Sequence, residues 1–351
     1  MVWRVYRVAV PFVQVGPAVP VAVIVTVTVV LSGCFSVEAD TRSPLYHELR
    51  RELLSPEPAS SRERDTPGIR AYYRTTAGIP ADVRHDTLVF QSLGDHMAVH
   101  LFYPSGDASP SGTVLVVHGY LAYPADMASI IRMALAEGYV VAAPALPGHG
   151  LSGGAAAGIE SFSDYGRFVA DLLDALAELN DPAPHPWYAV GHSTGATALY
   201  EYLRERTTEE DPFEAVVFLA PLIRSTWYRA SQLGRFLTRP FVHDVPSGAD
   251  VPLVPDRMPL SWFDAQVRWN RRSRAFPVLT RPVLVVQGNA DTVVDWRYNQ
   301  QFLERKLACM RFELLSGAEH VLHGRDSRAR TTTLDLVRTY IREYPEGAPC
   351  R

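Results

Sequence analysis

Two mostly apolar runs of strand length, residues 87–90 and 97–103, are separated by a stretch holding Gly94-Asp95. That spacing predicts an antiparallel hairpin at a sheet edge. Downstream, short apolar runs at 114–118, 140–143, 188–191, 215–219, 283–287 and 311–315 have strand length. Between and after them, 125–136, 162–179, 194–206, 297–307 and 331–340 carry the three-to-four-residue apolar period of helices. The alternation predicts a mostly parallel central sheet with helices on both faces. We find no internal repeat.

Two stretches break the rhythm. Residues 222–279 separate two predicted strands and hold Trp227, Tyr228, Phe236, Phe241, Trp262, Phe263 and Trp269. A connection this long is rarely a bare loop, so a helical cap (lid) insertion over the site is expected. At the other end, residues 35–85 are polar and proline-broken, with one short helix expected at 45–54. They read as a tether, which gives a division into 1–33 (leader), 34–84 (tether), 85–221 with 280–345 (core) and 222–279 (cap).

The leader has Arg4 and Arg7 ahead of an apolar run over 21–31. It ends Leu31-Ser32-Gly33-Cys34, which resembles the lipobox of bacterial lipoproteins. The resemblance implies a diacylglyceryl group on Cys34 and a domain anchored to a membrane of the bacterial envelope, outside the cytoplasm. An uncleaved anchor over 8–31 is the competing reading, opposed by Pro11, Pro17 and Pro20.

Composition narrows the field. The chain is 47% apolar and 21% charged, enough for a sizeable core. A net charge of -4 argues against general nucleic-acid binding. The span 222–281 runs the other way, with ten arginines against four aspartates. Three cysteines make no disulfide framework, and whether Cys309 and Cys350 pair is left open. No ligand spacing indicates a metal site, and no glycine-rich loop indicates a phosphate or dinucleotide cofactor.

The chemistry gathers at strand ends. Gly191-x-Ser193-x-Gly195 lies between the apolar run 188–191 and the helical run 194–206, the context of a nucleophile elbow. A serine on so tight a turn needs glycine two residues to either side. A serine hydroxyl also needs a base, and the base needs an orienting acid. Asp291, in Gly288-Asn289-Ala290-Asp291, and His320, in Gly317-Ala318-Glu319-His320, follow in the order Ser, Asp, His. Asp295 and His323 are their competitors. The oxyanion hole is assigned to the backbone N–H groups of Tyr120 and Thr194. His118 and His192 are read as buttresses of the loop and the elbow, and Pro147-Gly148-His149-Gly150 as a fixed turn beside the site.

With His118-Gly119-Tyr120, these motifs resemble the α/β-hydrolase superfamily over residues 85–343. More narrowly, they resemble the monoacylglycerol lipase and lysophospholipase group related to the serine aminopeptidases. The resemblance implies the α/β-hydrolase fold, a cap after the sixth strand, no cofactor, and ester hydrolysis of monoacyl lipids with Ser193, Asp291 and His320 as the triad. General carboxylesterase, amidase and a silent envelope lipoprotein are the alternatives. Acyl length, head group and oligomeric state are not encoded in these motifs.

Overall fold

All five residues of strand β4 (Thr113–Val117) are buried, and their side chains go alternately to two cores. Leu115 and Val117 enter one apolar cluster, Val114 and Val116 the other. Successive side chains on a strand point to opposite faces, so a run that is apolar on both must be covered on both. The computed structural model describes residues 43–343, apart from 55–62, 65, 107, 180–182, 207–210, 227, 229–241, 250 and 325. The leader, Cys34 and Cys350 lie outside the described residues.

Among the described residues nine strands form the main sheet. Beside β4 these are β1 (Glu63–Arg64), β2 (Arg84–Ser92), β3 (Asp95–Tyr103), β5 (Val140–Pro144), β6 (Trp187–His192), β7 (Phe213–Leu219), β10 (Leu279–Gly288) and β11 (Leu307–Leu315). Their order is β1-β2-β3-β5-β4-β6-β7-β10-β11. Pairing from β5 through β4 to β11 is parallel, and β1, β2 and β3 add on antiparallel. The hairpin is therefore one strand in from the edge, because Glu63–Arg64 pairs outside it.

Helices α4 (Ser163–Ala177), α5 (Thr194–Arg204) and α7 (Trp296–Lys306) cover one face through Phe168, Leu172, Leu199 and Phe302. Helices α3 (Ala128–Ala136) and α8 (Ser327–Glu343) cover the other through Ile130, Ile131, Val337 and Ile341. Two further helices lie on that second face. These are α1 (Pro44–Leu53), with Tyr46, Leu49 and Leu53 buried, and α2 (Pro67–Thr76), with Ile69 and Tyr73 buried.

That last observation corrects the tether expected over 34–84. Its described part is folded, and α1 and α2 belong to the core. Tyr46, Leu49 and Leu53, spaced three and four residues apart, make one narrow stripe on α1, enough to dock a helix among arginines and glutamates.

The insertion over 222–279 also differs from a purely helical cap. Its described part holds a two-stranded antiparallel ribbon of β8 (Asp244–Pro246) and β9 (Arg257–Pro259), then α6 (Leu260–Ser273). Trp262 and Trp269 of α6 are buried in the core, and their indole N–H groups donate to Tyr165 Oη at 2.9 Å and Glu201 Oε1 at 2.8 Å. A hydrogen-bonded tryptophan under a helix is an anchor, so α6 is fixed onto α4 and α5. Trp227, Phe236 and Phe241 lie outside the described residues. Cys309 is disulfide-bonded. Among the described residues no helix is long and apolar enough to cross a membrane.

Candidate active site

Three loops at the carboxyl ends of β6, β10 and β11 meet, which is where open α/β sheets present ligand-facing groups. Ser193 follows β6 at once, with φ 51° and ψ -111°, a conformation that costs a non-glycine residue strain. The turn survives because its surroundings fix it. The Ser193 N–H donates to Leu219 O at 2.9 Å, and the Leu222 N–H donates to Ser193 O at 3.1 Å. The flanking glycines are needed for room. A Cβ on Gly191 would stand 2.6 Å from Ala196 N, and one on Gly195 would stand 2.3 Å from Val117 O.

The hydroxyl of Ser193 lies 3.1 Å from His320 Nε2, and His320 Nδ1 lies 2.8 Å from Asp291 Oδ2. A carboxylate can only accept, so Nδ1 carries the proton and Nε2 is left to receive one from serine. The Asp291 side chain is fully buried and fully paired. Its Oδ1 accepts from the amides of Val293 at 2.8 Å and Val294 at 3.0 Å. Its Oδ2 accepts from Gln287 Nε2 at 3.0 Å besides the imidazole. Burial disfavours the charged carboxyl, but the hydrogen bonds from His320, Val294 and Gln287 outweigh it and hold the pKa below the ordinary value.

The two competitors have other tasks. Asp295 caps α7, its Oδ1 accepting from the Tyr298 amide at 3.3 Å, and it lies 3.8 Å from Arg224. His323 is buried against His192, ring centroids 4.6 Å apart. Burial and the neighbouring His320 push its pKa down to about 4.

Two more histidines brace the site. His118 donates from Nδ1 to Gly119 O at 2.7 Å and accepts at Nε2 from the Leu146 amide at 3.0 Å. Burial, then His149, push its pKa down to about 3, so it stays neutral. His192 donates from Nε2 to the backbone carbonyl of His320 at 3.2 Å, which ties the base's loop to the elbow. Burial, then His323 and His320, lower its pKa well below the usual value.

The loop after β4 reaches Ser193. A Cβ on Gly119 would stand 3.2 Å from Ser193 Cβ, so the chain bearing Tyr120 lies directly against the serine. Thr194 opens α5, where amide groups and helix dipole favour negative charge. Neither the Tyr120 nor the Thr194 amide donates to a partner among the described residues. Gln287 belongs to none of the motifs in the sequence; it is marked there only as a polar side chain closing the apolar run Val283-Leu284-Val285-Val286, which does not show its contact with Asp291.

Similar proteins share this architecture. The structure superposes on that of a soluble variant of monoglyceride lipase from Saccharomyces cerevisiae in complex with a substrate analog. The TM-score is 0.59 at 18% identity, covering 73% of this chain and 94% of that one. The chain has the α/β-hydrolase fold. Est1E from Butyrivibrio proteoclasticus, with ferulic acid bound, matches this chain with TM-score 0.55 at 14% identity, over 73% of this chain and 98% of that one. In sequence, residues 108–250 match the family described as serine aminopeptidase, S33. Monoglyceride lipase of Rattus norvegicus is 25% identical over 304 residues, 79% of this chain and 97% of the relative.

Proposed function

We propose that this hydrolase cleaves carboxylic esters of monoacyl lipids through an acyl-enzyme on Ser193. The observation that carries the reading is the chain Ser193–His320–Asp291, set beside two amides with no other described partner. Ser193 Oγ attacks the ester carbonyl while His320 Nε2 takes its proton. Asp291 keeps the tautomer and stabilises the imidazolium. The carbonyl oxygen becomes an oxyanion held by the Tyr120 and Thr194 amides. Collapse breaks the C–O bond, and the leaving alcohol takes the proton back from His320. Water, deprotonated by the same imidazole, then releases the fatty acid and restores Ser193.

Monoacylglycerol is the leading substrate because the rat and yeast proteins are named monoglyceride lipases. Lysophospholipid is kept beside it because the insertion is rich in arginine. Anchoring at Cys34 to a bacterial envelope membrane is part of the same proposal. It rests on the sequence run that ends Leu31-Ser32-Gly33-Cys34.

The test is fatty-acid release from monoacylglycerol and lysophospholipid, with short-chain ester and amide substrates in parallel. Turnover of a monoacyl lipid, abolished in Ser193→Ala together with fluorophosphonate labelling, is the expected result. Cleavage of the short ester alone would make the protein a general carboxylesterase, and cleavage of the amide alone would make it an amidase. A Cys34→Ser chain that remains with membranes after leader removal would refute the anchor.

A further inference from the structure

Tyr120 contributes its amide to the proposed hole, yet its side chain is the more unusual feature. The ring lies flat on the indole of Trp262, centroids 4.0 Å apart and planes 22° from parallel. Its edge meets His149 at 5.3 Å and 65°, and its hydroxyl donates to Ala157 O at 3.0 Å. Trp262 is itself immobilised. It is 3% exposed, donates from Nε1 to Tyr165 Oη at 2.9 Å, and packs against Phe162 at 5.2 Å.

The next residue supplies an independent observation. Leu121 sits at φ +52°, the left-handed region that a leucine avoids. A strained residue persists only where its surroundings over-determine it. Left to itself, a turn with leucine in that region would relax by rotating the 120–121 segment. That rotation turns the 120–121 peptide; the Tyr120 N–H lies in the preceding peptide and keeps its place only if the Tyr120 residue itself is held, which the stack on Trp262 does.

We infer that Trp262 is a positioning residue for the oxyanion hole, clamping the Tyr120 ring so that the Tyr120 amide stays aimed at the developing oxyanion. The inference rests on the ester-hydrolase reading. It gives α6 a task within the insertion: the helix closes one wall of the machinery that stabilises the transition state. Van der Waals contact and stacking geometry do the work, and Trp262 touches no reacting atom.

The experiment is a double-mutant cycle of Trp262→Leu and Tyr120→Leu in the full chain. Each substitution removes the stack from one side while keeping every backbone amide. Initial rates are read on a short-chain and a long-chain ester, together with the Ki of a trifluoromethyl ketone, whose hemiketal oxyanion occupies the hole. Expected is a fall in kcat of about ten-fold or more for each single variant, within the range of a weakened oxyanion donor. The fall should be equal for both esters, with KM nearly unchanged and the Ki raised by the same factor. The double variant should lose little more than either single one, because both break the same contact. Trp262→Phe, which restores a flat ring, should recover most of kcat.

Losses that grow with acyl length and appear in KM would make Trp262 a wall of the acyl pocket and overturn the inference. A lowered melting temperature with unchanged kcat, or fully additive losses, would overturn it too. Should Trp262→Leu fail to fold, Tyr120→Leu and Trp262→Phe carry the same comparison. A wild-type chain inert to esters and to fluorophosphonate would bring down the hydrolase reading itself. An active wild type with unaffected variants would remove only the clamp.

Discussion

The carboxylate of Asp291 is held by four donors, two of them backbone amides, so its position does not depend on the imidazole it orients. Asp291→Asn should keep that geometry but present an N–H to His320, favouring the wrong tautomer. A loss in kcat on the order of 10⁴ is expected, with little change in melting temperature. Asp295→Asn should keep nearly full activity, because its cap on α7 survives the exchange. Comparable losses in the two variants would reassign the acid. Ser193, Asp291 and His320, the proposed triad, are legible because each follows a strand-length apolar run and because the proposed chemistry fixes their chain order. Gln287 was not legible in that way. Its amide matters only through a carboxylate four residues later, and no pattern along the chain records that contact.

Elements were legible where their period was long and uninterrupted. The strands β4, β5 and β6, buried on both faces, stand out as apolar runs. The strand β10 starts at Leu279, four residues before the apolar run begins, because Thr280-Arg281-Pro282 interrupts it. Helix α1 was recognised as a helix but not as part of the core. Its apolar stripe is three residues wide, and only docking shows that it is covered. Leu49 is 3% exposed, so Leu49→Ala should cost about 2–4 kcal/mol, read as a shifted denaturation midpoint. No shift would mean that α1 is a tether after all. The aromatic count over 222–279 suggested a lid reaching for substrate. Trp262 and Trp269 instead turn inward to Tyr165 and Glu201, a choice made by partners about 60 to 100 residues away in sequence.

At the scale of the whole molecule, the loops that follow the strands hold a group of neutral histidines. Burial, the largest cause for each, sets His118 to about 3 and both His149 and His323 to about 4. The unfolded chain titrates these groups near the ordinary value of about 6.5. Between that pH and the depressed values it binds protons that the folded chain refuses, so stability falls as pH drops through this window. The contribution is flat above about pH 7 and reaches about 2 kcal/mol per histidine at pH 5. Denaturant midpoints measured at pH 7.5 and pH 5.0 should show a clear drop, and equal midpoints would refute the neutral buried state. The Ser43 hydroxyl donates to the carbonyl of Pro252 at 2.5 Å, joining the start of α1 to the segment between β8 and β9. A pull exerted through the preceding residues would therefore load α1 and, through this one hydrogen bond, the insertion, before it reached the strands.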